Sequence, residues 1–134
     1  MPVGTPRILG AIAALISAAG GAMHAAAFPK AASAIDASGL AHFYAGSSKA
    51  LWLADAATLI LVGCIYALIA WRPGSISRPL AILVALIPAG TAVMLYSFLG
   101  PFIVGHLLLG ITVLALIAAV QLPGTLPPQA HSPK

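Results

Sequence analysis

Carboxylate is nearly missing from this chain. Asp36 and Asp55 are its only acidic side chains, against six lysines and arginines, and charged residues make up 6% of the 134. A water-soluble domain carries about a quarter charged residues, so that class is excluded. The basic residues are too few and too scattered to track a phosphate backbone, which removes nucleic acid as an expected partner. The first apolar stretch holds no acidic residue, where a small proton-coupled multidrug exporter would be expected to place one. No arginine lies inside an apolar stretch and there is no acidic run, so fluoride-channel and kinase-like small membrane proteins have no support. Cysteine is equally scarce. The lone Cys64 excludes an internal disulfide and the four-helix thiol oxidoreductases that need paired cysteines. In mid-span it reads as a small apolar residue, because hydrocarbon offers nothing to stabilise a thiolate.

What the chain has instead is hydrocarbon: 61% of its residues are hydrophobic, gathered into four stretches long enough to cross a bilayer. The expected spans cover residues 8 to 28, 48 to 71, 79 to 99 and 101 to 121, within a single domain of residues 1 to 121. Phe28-Pro29-Lys30 closes the first span, and Trp71-Arg72-Pro73-Gly74 closes the second with an interfacial aromatic, a cation and two helix breakers. Arg78-Pro79 opens the third, and Gly100-Pro101 divides it from the fourth. Arg7, a short apolar run and Ala25, Ala26 and Ala27 also resemble a cleavable signal peptide. The expectation is nevertheless a retained helix. Residues 122 to 134 contain four prolines and are expected to form a disordered tail.

Short connections between the second, third and fourth spans force antiparallel neighbours, so the fold class is an all-α integral membrane four-helix bundle in up-down-up-down order. Arg7, Arg72, Arg78 and Lys134 then share one side, with Lys30 and Lys49 on the other. The excess of cations places both termini in the cytoplasm, N-in and C-in, in a membrane of the bacterial inner-membrane type. The long connection of residues 29 to 47 carries its own signal. Pro29 to Asp36 is alanine-rich and Gly39 follows as a stop, the pattern of a short interfacial helix.

Each span carries one polar group at a similar depth below the non-cytoplasmic face: His24, Asp55, Tyr96 and His106. At about 1.5 Å of rise per residue these reach a common level. Ionisable groups inside a membrane are costly and by default mark function. Helical phase supports an inward aim for two of them. Gly10, Ala14, Ser17, Gly21 and His24 recur at spacings of four and three, as do Ala81, Ala85, Ala89, Ala92 and Tyr96, and small residues on one stripe let helices approach closely. His106 has Gly110 four residues on, a weaker sign, while Asp55 shares its stripe with Leu59, Val62 and Tyr66. Pro88 in the third span implies a kink whose freed carbonyl a neighbour satisfies.

The plainer reading of this layer is a hydrogen-bonded clasp, with Asp55 accepting from a histidine or from Tyr96. Such bonds average about 0.6 kcal/mol each. The functional readings divide by chemistry. His24, Asp55, Tyr96 and His106 could act as acid/base groups on a lipid-soluble substrate in an isomerase- or hydratase-like reaction, with His42 and Tyr44 at the access route. Whether Asp55 is ionised then depends on a histidine reaching it. His24, His42, His106 and Asp55 are acceptable ligand types for zinc, copper or iron, although no compact spacing such as H-x-x-x-H unites them. His24 and His106, on adjacent helices, could be axial ligands of a b-type haem. The leading expectation is an accessory or assembly subunit, or a self-associating bundle, whose partners are the lipid bilayer and other transmembrane helices, with no cofactor.

Overall fold

The computed structural model describes residues 4 to 122. Among them are five helices and no strand: α1 (Gly4–Ala26), α2 (Phe28–Ala37), α3 (His42–Trp71), α4 (Arg78–Leu99) and α5 (Ile103–Val120). α1, α3, α4 and α5 are each long and apolar enough to cross a membrane. The all-helical class and the count of four spans therefore hold.

The helix ends differ from the expected spans in instructive ways. α3 begins at His42, six residues ahead of the expected start at 48, and runs for 30 residues. At about 45 Å it exceeds a hydrocarbon core of about 30 Å. Hydropathy finds where a chain enters lipid, whereas a helix ends only where its backbone hydrogen bonds do. Nothing between His42 and Ser47 interrupts them: the Ala45 amide donates to the Ala41 carbonyl at 3.0 Å. A short helix is present in the first connection as α2. Pro29 lies in its first turn, no residue of it is buried, and Gly39 follows with φ +73°. The Asp36 carboxylate, which accepts from Lys49 Nζ at 2.6 Å, fastens α2 to α3.

α1 packs most extensively on α3 and also touches α5, which in turn packs on α4. Lipid gives helices no hydrophobic reason to associate, so close van der Waals contact has to do it. Along the α1/α3 seam two glycines make that possible. A Cβ on Gly21 would lie 2.8 Å from the Ala56 carbonyl oxygen, and one on Gly63 would lie 2.9 Å from the Ala18 amide nitrogen. Gly10 meets Tyr66 and Ala70, so positions advance along α1 as they retreat along α3 and the pair runs antiparallel. Tyr96 against Gly105 and Arg78 against Leu122 show the same sense for α4 and α5.

Pro88 sits buried inside α4. Having no N–H, it leaves the carbonyl four residues earlier, that of Val84, without a helical donor. The buried Tyr66 hydroxyl of α3 donates to that oxygen at 3.3 Å, which identifies the neighbour expected to satisfy the freed carbonyl. Other hydroxyls turn back on their own helices, as Thr112 does to the Leu108 carbonyl at 2.9 Å.

Just past the end of α5 the chain is still held against the other helices. Leu122 is 1% exposed, and its carbonyl accepts from Arg78 Nε at 2.9 Å and also from the second arm of the same guanidinium. An apolar side chain that fills the core and a carbonyl held by an arginine fork make Leu122 part of the bundle. The remainder of the expected tail, residues 123 to 134, lies outside the described residues.

Candidate functional site

His24 is in the last turn of α1. Helix ends leave carbonyls without donors, and here the Trp52 indole N–H donates to the His24 carbonyl at 2.9 Å. The same indole stacks on the His24 imidazole, with ring centroids 4.1 Å apart and planes 9° from parallel. Three residues along α3 from Trp52, on the same helical face, Asp55 places Oδ2 3.5 Å from His24 Nε2. Trp52 thus fixes the ring in plane and Asp55 approaches it from one edge. The two side chains are 27% and 37% exposed, so the pair sits at the rim of the α1/α3 seam rather than sealed within it.

The second pair joins α4 to α5. The Tyr96 and His106 rings meet edge to face, 5.6 Å apart at 73°, the arrangement that aligns a ring edge with a π-face. Gly105 provides the room, since a Cβ there would come within 2.5 Å of Tyr96 Cε1. His106 Nδ1 lies 2.8 Å from the Phe102 carbonyl oxygen. A carbonyl only accepts, so Nδ1 carries the proton and the neutral ring keeps Nε2 as its acceptor. His106 itself is exposed, on the outer side of the α4/α5 pair.

His42 and Tyr44 fall in the first turn of α3, both exposed, and Tyr44 packs edge to face on Phe43 at 5.5 Å. The structure therefore brings the sequence-derived residues together as His24 with Asp55 and Tyr96 with His106. Among the described residues no hydrogen bond, ion pair or ring contact joins one pair to the other. Nor do three or more His, Cys, Asp or Glu side chains gather as a metal site among those residues, so the set His24, His42, His106 and Asp55 does not fit one ion. His24 and His106 do lie on helices that pack together, but each is engaged by its own partner.

Two residues that shape these pairs escaped sequence reading: Trp52 and Gly105. Each carried a usable signal. Trp52 stands one helical turn from Asp55, and Gly105 directly precedes His106.

Four long apolar helices, with large hydrophobic side chains such as Phe98, Leu15 and Met23 on their outer faces, define the class: a small multi-pass membrane protein. Comparison with protein-family models, with curated proteins and with solved structures gives no match.

Proposed function

We propose that this chain is an accessory or assembly subunit, or a self-associating bundle, of a bacterial-type inner membrane, in up-down-up-down order with both termini cytoplasmic. One observation carries the reading: the polar residues of the membrane layer are engaged two by two, His24 with Asp55 and Tyr96 with His106, each pair joining two helices. Polar contacts used this way set the register of neighbouring helices and perform no chemistry. The antiparallel sense of both helix pairs supports the topology, and the excess of Arg7, Arg72 and Arg78 over Lys30 and Lys49 supports the orientation. Conservative replacement at the pairs, His24→Gln with His106→Gln, is expected to weaken a complex isolated in mild detergent while removing no turnover. Native mass spectrometry of the full chain taken from its own membrane reads both the partner chains and any bound group.

A second reading has one specific support. The imidazole of His24 has a carboxylate oxygen 3.5 Å from Nε2, stacks on an indole and is partly open to its surroundings, a setting that suits a general base. On that reading the pair moves a proton on a lipid-soluble substrate. Loss of such a conversion in His24→Ala, with the assembly still intact, would favour the enzyme over the scaffold. For haem held by His24 and His106, freshly isolated protein without a Soret band would dispose of the idea.

A further inference from the structure

One concavity of the molecule is lined by none of the paired polar residues. This is an open groove of about 650 Å³ on the outer face of the α1/α3 seam. Its origin lies in the close approach described above. Gly63 brings the two backbones together, and Ala11, Ala18 and Ala67 line the crossing with methyl groups. Ile8, Leu15 and Trp71 stand proud on either side, at 61%, 72% and 73% exposure. The result is a trench with a floor of small residues and walls of large ones.

Arg7 is the sole charged residue of the lining, and it makes no hydrogen bond or ion pair among the described residues. Trp71 closes the same end, and Arg72 holds its guanidinium over the Trp71 ring, 5.0 Å from the centroid. Two cations therefore stand at one mouth of the groove. Among the described residues no acid balances them, because Asp36 is paired with Lys49 and Asp55 lies beside His24. From Arg7 the lining extends along α1 to Ala18, about 16 Å of helix. That is half the hydrocarbon thickness of a bilayer, or one leaflet.

We propose that this groove binds an anionic diacyl phospholipid of the surrounding bilayer, one acyl chain lying along Ala11, Ala18, Gly63 and Ala67 and the phosphate held by Arg7 and Arg72. A dry trench one leaflet deep with cations at the headgroup level matches that molecule in shape, polarity and charge. A second copy of the chain is the competing occupant, and charge argues against it. A two-fold axis along this seam would bring two Arg7 and two Arg72 together at the same level with no carboxylate between them.

The full chain is reconstituted in phosphatidylcholine vesicles, with brominated acyl chains carried either by phosphatidylglycerol or by phosphatidylcholine at equal mole fraction. Fluorescence of Trp71 is followed in a Trp52→Phe background. Brominated phosphatidylglycerol is expected to quench Trp71 several times more effectively than brominated phosphatidylcholine. Arg7→Gln is expected to reduce the apparent affinity for phosphatidylglycerol about tenfold, as the loss of one charge-assisted contact predicts. Ala67→Phe, at an exposed position, fills the trench without entering the core and should abolish the preference altogether. If Trp52→Phe does not fold, retention of phosphatidylglycerol by the otherwise unaltered chain and its Arg7→Gln form in native mass spectrometry replaces the optical reading. Equal quenching by the two lipids, or retention indifferent to Arg7, overturns the proposal. So does efficient Cys64 to Cys64 cross-linking by a thiol oxidant in the same vesicles, since it would seat a second copy in the trench.

Discussion

The α1/α3 seam and the α4/α5 seam both join antiparallel helices near a histidine, yet they are made differently. In the first, backbone touches backbone at Gly21 and Gly63, and His24 is held by an indole and a carboxylate. In the second, a half-buried tyrosine ring lies over Gly105, and the histidine beside it faces outward. Backbone cannot move aside without separating whole helices, whereas a ring near the surface can swing. The lesson is that the two glycine contacts differ in consequence although both would clash with a side chain.

The largest effect should come from testing that difference directly. Gly63→Ala is expected to cost about 3 kcal/mol, the upper part of the usual overpacking range, because the new methyl meets the Ala18 amide and the Ala14 carbonyl. Gly105→Ala should cost about 1 kcal/mol as Tyr96 rotates away. Thermal unfolding of both variants in the same detergent decides the matter, and equal losses would erase the distinction between the seams.

A medium effect sharpens how the two seams are connected. Tyr66→Phe removes the donor that satisfies the Val84 carbonyl left open by Pro88, and about 1 kcal/mol should be lost. In a Pro88→Ala background the helix supplies its own donor, so the same replacement should cost measurably less. Additive losses in that double-mutant cycle would show that Tyr66 has no special relation to the proline.

The smallest effects compare the polar members. Asp55→Asn and His24→Gln should each lose roughly 0.6 kcal/mol and less than two, the ordinary range for interhelical polar contacts in membranes. Tyr96→Phe should be close to silent, because the Tyr96 hydroxyl makes no hydrogen bond among the described residues and its contact with His106 is through the ring. Reversible unfolding in mixed micelles can resolve the two, and a large loss from Tyr96→Phe would mean that its hydroxyl reaches a partner.

Much of this was legible in the residues alone, for reasons that can be named. The four spans were readable because hydropathy sums over about twenty residues and tolerates local error. α2 was readable because Pro29 and Gly39 act locally on φ. The stripes ending at His24 and Tyr96 were readable because small residues mark where helices touch. The aim of His106 was not. α5 is apolar on all sides, so nothing in its pattern distinguishes a packed face from a lipid face, and the buried glycine proved to be Gly105 while Gly110 is exposed. The start of α3 was hidden for a different reason, since a helix can continue past the lipid boundary without any change in its hydrogen bonding.

Composition by itself committed this chain to lipid: with two carboxylates and four long apolar stretches, no water-soluble core was available to it. Which polar residue meets which was decided only by the tertiary structure. Partner choice depends on the rotation and ångström-scale register of one helix against another, and those are set by where backbones can touch. Gly63 against Ala18 fixes that register on one side of the molecule and Tyr96 over Gly105 on the other, which is why the four polar groups meet as two separate pairs.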